Sequence, residues 1–205
     1  GGGGISSTDG SAASPGVRGS DENTGISYAS NVIRFSTDGV ERAVINNTGL
    51  SSPGHILQVK QAVKSDTQQY TSTSFTDIVG LSVAIRASSS SSKMLITAHL
   101  YIASPASVSH ATKINFVRGG TAIAQPADSS SSHAATMHQW VSGNKNFFPI
   151  SMNYLDTQSL STDEDTTYKL QVACNTAGST FYVNRNQSGD DYHGISTLTV
   201  MEIAA

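Results

Sequence analysis

The sequence predicts an all-β protein, with a short β stem followed by an antiparallel β-sandwich or jelly-roll head. Three observations carry that expectation. Charged residues make up only 13% of the chain, against roughly 25% in an average globular protein, and Ser, Thr, Gly and Asn take their place. Short alternating apolar and polar runs recur at spacings of roughly 10–15 residues, separated by Gly-, Pro-, Asn- and Ser-rich turn signals. No stretch shows the apolar spacing of an amphipathic helix.

Taken in order, residues 1–22 are a Gly-, Ser- and Ala-rich lead-in with almost no apolar content. Alone, that composition cannot offset its ordering entropy. It reads either as a linker or as a strand-poor segment held by neighbouring chains. Residues 23–54 are a stem. Val32-Ile33-Arg34-Phe35 and Glu41-Arg42-Ala43-Val44-Ile45 are short strands around Thr37-Asp38-Gly39, and Asn46-Asn47-Thr48-Gly49 is a second turn signal. Asp, Asn and Gly tolerate the positive φ that such reversals need. One copy of this hairpin has too few apolar side chains for a core, and an isolated hairpin is marginal in water. It must pack on the rest of the chain or on copies of itself. Ser51-Ser52-Pro53-Gly54 closes the stem.

The run Asn23-Thr24-Gly25-Ile26, then Ile33-Arg34-Phe35-Ser36-Thr37-Asp38-Gly39 and Glu41-Arg42-Ala43-Val44-Ile45, resembles the repeat near the ends of tailed-phage tail-fibre proteins, most of all those of marine and cyanobacterial phages. The part from Phe75-Thr76-Asp77-Ile78-Val79-Gly80-Leu81 to Thr199-Val200-Met201-Glu202-Ile203 resembles the β-rich head that follows such stems. The resemblance implies a virion structural protein on the tail or capsid surface, outside the cell, in contact with other virion proteins.

The head spans residues 55–205. Ile56 to Val63 is its first strand, Tyr70 to Thr76 a Thr-rich one, and Leu81, Val83 and Ile85 alternate cleanly. Lys93 to Ile102 is the most apolar run and reads as a central strand. Ile114 to Arg118 ends at Gly119-Gly120, with Thr121 to Ala124 as its hairpin partner. Thr136 to Val141 holds Trp140, the one tryptophan. Pro149 places Phe147 to Asp156 at an edge or a bulge. Thr167 to Cys174 and Thr180 to Arg185 read as adjacent antiparallel strands joined through Asn175-Thr176-Ala177-Gly178, and Ile195 to Ile203 is the last strand.

Several function classes find no support. A net charge of −3 with scattered basic residues offers no field for nucleic acid. No apolar run approaches the roughly 20 residues of a membrane span, so membrane insertion is not expected. The single cysteine, Cys174, sits in a strand and reads as a small buried hydrophobe. His133 and His138 are five apart, which suits shared metal ligation on neither a helix nor a strand. The carboxylates Asp163-Glu164-Asp165 and Asp190-Asp191 lie in surface turns, without the spacing of an EF-hand. Gly-x-Ser-x-Gly and phosphate-loop patterns are absent. Neither a catalytic site, a metal nor a cofactor is therefore expected, and the chain does not read as an enzyme.

The aromatics are more informative. Phe147, Phe148 and Phe181 read as core, whereas Trp140, Tyr154, Tyr182 and Tyr192 are candidates for stacking on sugar rings. The candidate ligand-binding loop holds Asp190, Asp191, Tyr192 and His193: acceptors for sugar hydroxyls beside one flat apolar face. The bland reading is an ordinary loop whose tyrosine covers its own domain. The expected assembly is a homotrimer, with Ile33, Phe35, Val44 and Ile45 pooled along the three-fold axis of the stem. Its head loops would meet a host-surface glycan or protein. A capsid decoration, head fibre or collar part without receptor binding is the alternative. A tip hydrolase using Asp190 and Asp191, or a non-viral trimeric jelly roll like those of the tumour necrosis factor class, stands further off.

Overall fold

A computed structural model describes residues 4–47, 49–103, 110–127, 134–141, 147–186 and 192–205. The described residues are strands and turns with no helix. The chain divides into two compact units, Gly1–Leu57 with Ile203–Ala205, and Gln58–Glu202.

The first unit holds one six-stranded sheet in which every strand pairs with its neighbour in sequence. Its strands are β1 (Gly4–Gly10), β2 (Pro15–Arg18), β3 (Gly25–Ala29), β4 (Val32–Thr37), β5 (Val40–Asn46) and β6 (Gly49–Ser51). All the pairings are antiparallel. The Ser- and Gly-rich lead-in thus supplies two strands of this sheet. A ladder of backbone hydrogen bonds needs no apolar side chains, which is why composition alone understated this segment. The β4–β5 hairpin closes at Asp38 (φ 53°) and Gly39 (φ 71°) between the paired Thr37 and Val40. Two consecutive positive φ values match the right-handed twist of the flanking strands.

The second unit is a sandwich of two antiparallel sheets. Its strands are β7 (Ile56–Lys64), β8 (Gln68–Tyr70), β9 (Thr76–Ile85), β10 (Lys93–Ala103), β11 (His110–Arg118), β12 (Thr121–Ile123), β13 (Met137–Val141), β14 (Phe147–Asp156), β15 (Thr166–Cys174), β16 (Phe181–Val183) and β17 (Ser196–Ile203). One sheet runs β7-β17-β10-β16-β8, with β14 also on β10. The other runs β12-β11-β15-β9, with β13 also on β11. β10 is central, as its apolar run predicts. Its even-numbered residues from Met94 to Ile102 face the core with Leu198 and Val200 of β17. Ile114, Phe116, Leu170 and Val172 close the core from the second sheet.

Three expectations are corrected. Thr167–Cys174 and Thr180–Arg185 are not hairpin partners. β15 pairs with β11 and β9, whereas β16 pairs with β10 and β8 in the other sheet. The Asn175–Gly178 turn therefore crosses between the layers. Tyr70–Thr76 is not one strand, since β8 ends at Tyr70 and β9 begins at Thr76. Phe147 lies outside the core: β14 turns Ile150 and Met152 inward, so Phe147 is outward and stacks on Tyr101 at 4.9 Å.

Candidate assembly face and ligand loop

The stem motif is a set of mutual hydrogen bonds. Gly39 N donates to Asn23 O at 2.9 Å, and Asp38 N donates to Thr24 Oγ1 at 3.2 Å. Arg42 Nε donates to Thr37 Oγ1 at 2.8 Å. Gly25 cannot be replaced without a shift, because a Cβ there would lie 2.1 Å from the carbonyl oxygen of Val17. The Asn-Thr-Gly and Ser-Thr-Asp-Gly elements thus hold the entry of β3 against the tip of the β4–β5 hairpin.

Register decides what this sheet presents. Residues directly opposite one another share a face. Val17 faces Ile26, Ile26 faces Phe35, and Phe35 faces Ala43. Tyr28 faces Ile33, Ile33 faces Ile45, and Ile45 faces Leu50. These eight positions form two adjoining apolar rows on one side, without a charge. Tyr28, Ile33, Phe35, Ile45 and Leu50 are each between 37% and 51% exposed. Of the four residues expected on the stem axis, Ile33, Phe35 and Ile45 share this face. Val44 is on the other side, opposite Arg34, because successive strand residues point to opposite faces. That second side carries the Arg34–Glu41 ion pair (3.0 Å) and the buried Ser27 and Ser36.

In the head, Asp190 and Asp191 lie outside the described residues. Tyr192 is 61% exposed, and His193 forms a β-bridge with Arg185. The base of the loop is built on Asn184, which is fully buried in a left-handed conformation (φ 60°). Its side-chain amide donates to the carbonyls of Lys64 (2.7 Å) and Asp66 (3.0 Å). Its Oδ1 accepts from Ser196 Oγ at 2.6 Å, and its backbone N–H donates to Tyr101 O. Gly194 lies against the Tyr101 ring, where a Cβ would come within 2.5 Å. The loop's ends are thereby fixed to three strands, a rigid platform of the kind on which binding loops are carried.

The other aromatic candidates separate. Trp140 is 63% exposed. Tyr154 packs partly on the core. Tyr182 is buried, its ring covered by the Arg185 guanidinium at 4.4 Å, so it offers no free face to a sugar. In the acidic turn Asp165 is paired with Arg86 at 3.1 Å, and Ser161 Oγ accepts from the backbone N–H groups of Asp163 and Glu164. Burial pushes the Cys174 thiol up, against a smaller opposing pull from Lys113, as for a small core hydrophobe.

Sequence reasoning missed a buried polar group at the opposite end of β14. The carboxylate of Asp156 accepts from Arg118 Nη1 on both oxygens at 2.8 Å, from Tyr168 Oη at 2.8 Å and from Gln158 N at 3.2 Å. Burial, then the bond to this carboxylate, push the Tyr168 phenol up. A cleft of about 340 Å³ opens beside Arg118. The partners lie 38 and 12 residues from Asp156, so no local motif marks them.

No family model matches the chain, and no curated protein matches it. Among solved structures, dimeric latent PorU from Porphyromonas gingivalis is 9% identical, with a TM-score of 0.44 over 75% of this chain and 13% of that one. The T13 viral particle of infectious bursal disease virus (IBDV) is 12% identical, with a TM-score of 0.42 over 85% and 45%. The VP2 subviral particle of the same virus is 15% identical, with a TM-score of 0.32 over 85% and 47%. The chain thus spans less than half the length of each. At TM-scores below 0.5 these likenesses assign neither a family nor a role.

Proposed function

We propose that this chain is a non-enzymatic virion structural protein of the tail-fibre type. It assembles as a homotrimer through the apolar face of its six-stranded sheet and attaches to a host surface through its head. The observation that carries the reading is that face: two uncharged rows, half exposed in a single chain, made by the segment that resembles a fibre stem. Copies of the same chain are the occupant it fits best, since each brings an identical charge-free surface and burial of apolar area drives the association. Attachment falls to the head because its sandwich holds loop ends rigidly. Light scattering on the purified chain tests the assembly. A mass near three times 21.4 kDa is the expected result, and a monodisperse monomer overturns it. Antibody labelling of virions separates a tail position from a capsid-decorating or collar one.

A further inference from the structure

The cleft beside Arg118 is an open surface depression with a largely polar lining. Its volume, about 340 Å³, falls at the lower end of ligand pockets. Leu160, which is largely buried, and the hydroxyl-bearing Thr121, Ser159, Ser161 and Thr166 line it. Arg118 is the one charged lining residue, and its position is fixed. Nη1 is held on both oxygens of a carboxylate that is itself 1% exposed and further tied to Tyr168. The hydrogen bonds to the Asp156 carboxylate are made through Nη1, and the Arg118 side chain is about a quarter exposed. The arginine therefore presents directed N–H donors whose positive charge is already balanced by Asp156.

We infer that this cleft binds a neutral sugar unit of a surface glycan. The inference rests on the attachment reading above and gives it a specific site. A charge-balanced arginine holds little net attraction for a free anion, but its remaining donors suit hydroxyl oxygens. The hydroxyls of Thr121, Ser159 and Thr166 can both give and accept, whereas Ser161 Oγ, which already accepts from Asp163 N and Glu164 N, is left to donate. The cleft is remote from the Tyr192 loop. Arg118 is paired with Asp156 at one end of β14, whereas the loop base packs on Tyr101 and hence Phe147 at the other. Nine residue steps at about 3.3 Å put the two ends roughly 30 Å apart.

The test is an NMR titration of the ¹⁵N-labelled full chain with glucose, galactose, mannose, N-acetylglucosamine and glucuronate, with glycerol as a plain polyol control. At least one neutral sugar is expected to move the amides of Gly119, Thr121 and Ser161 saturably in the millimolar range, typical of about −4 kcal/mol of binding. Glycerol leaves them in place. Thr121→Trp, directly opposite Arg118 in the β11–β12 hairpin, fills the cleft from an exposed edge-strand position and should weaken binding at least tenfold in a chain that keeps its cooperative melting transition. The inference is overturned if no sugar moves these amides saturably or if glycerol moves them equally. It is also overturned if the shifts centre on Tyr192 and His193, if glucuronate binds tighter than every neutral sugar, or if Thr121→Trp binds as well as the parent. A trimer without sugar binding removes this inference and leaves the assembly reading standing. A monomer that binds sugar does the reverse.

Discussion

The stem sheet and the head sandwich use the same local pattern and treat its product differently. In both, alternating strands collect apolar side chains on one face. In the head, a second sheet covers that face, and Leu81, Ile96, Leu100, Ile114 and Leu198 are fully buried. In the stem, the serines of one side are buried while Phe35, Ile45 and Leu50 of the other stay exposed. Strand alternation and register thus decide which residues meet, but the presence of a second layer decides whether meeting them stabilises the fold. A face left open in one chain is where a further chain contributes most.

The comparison can be broken by equal truncations. Leu100→Ala in the head removes buried methyl groups from a covered core and should cost about 2–5 kcal/mol, read as a loss of melting temperature independent of protein concentration. Phe35→Ala in an uncovered sheet should shift stability by only about 0.5 kcal/mol. In the trimer it should cost several times more, about 3–5 kcal/mol, read as a lower melting temperature that recovers as protein concentration rises. Phe35→Asp sharpens the contrast, because burying an unpaired carboxylate is costlier still. Light scattering should show dissociation while circular dichroism retains the β signal of the head. Trimers of normal stability in both Phe35 variants would remove this face from the assembly.

The two regions also differ in their carboxylates. Glu202 of β17 is a buried acid in the head with neutral donors around it. Burial raises its pKa, but bonds from Gln58 Nε2 and from the N–H and hydroxyl of Ser88 outweigh that cost and hold it below its ordinary value. Gln58 Nε2 lies at 2.6 Å and the Ser88 N–H at 2.7 Å. A folded pKa below the unfolded one means that the stabilisation is present above about pH 4.5 and is lost as pH falls through the folded value. Asp77 follows the same sign through Lys169 and Gln171. In the first unit the lowered acid is Asp21 of the lead-in, fully exposed and bonded to Thr24 and Asn23. Acid titration should therefore weaken the head more steeply than the stem. Glu202→Gln should flatten that slope below pH 4.5 in melts followed by tryptophan fluorescence, and an unchanged slope would assign the acid sensitivity elsewhere.

Much of this was legible in sequence where the signal is local. Asp38-Gly39 and Gly119-Gly120 both carry consecutive positive φ values between paired strands, as their dipeptides foretell. The strand at Lys93–Ala103 is central, as its apolar run implies. What depends on distant pairing was not legible. Asn175–Gly178 looks like a hairpin turn, yet β16 joins β10 and β8 because Val183 meets Ile102 and Phe181 meets Tyr70. The lead-in's strands are set by backbone pairing that its composition does not advertise. Of the candidate sites, Tyr192 is exposed, but the Arg118–Asp156–Tyr168 group spans three strands, and no residue in it looks unusual alone.

The smallest effect concerns the side of the stem sheet opposite the apolar rows. Ser27 is fully buried, and its Oγ has no hydrogen-bond partner among the described residues. Its neighbour across the sheet is Arg34, whose Nε is engaged by Glu41 at 3.0 Å. A buried hydroxyl without a partner forfeits its bond to water and regains nothing. Ser27→Ala removes that hydroxyl at almost constant shape and should stabilise the chain by up to about 1 kcal/mol. The matching change at Ser36, whose Oγ donates to Gly25 O at 3.4 Å, should instead cost a few tenths of a kcal/mol. The two serines stand on one face, similarly buried, so denaturant melts of the pair isolate the hydrogen bond from burial. If Ser27→Ala destabilises as Ser36→Ala does, the Ser27 hydroxyl has a partner in the assembled protein, and this second side of the sheet is also an interface.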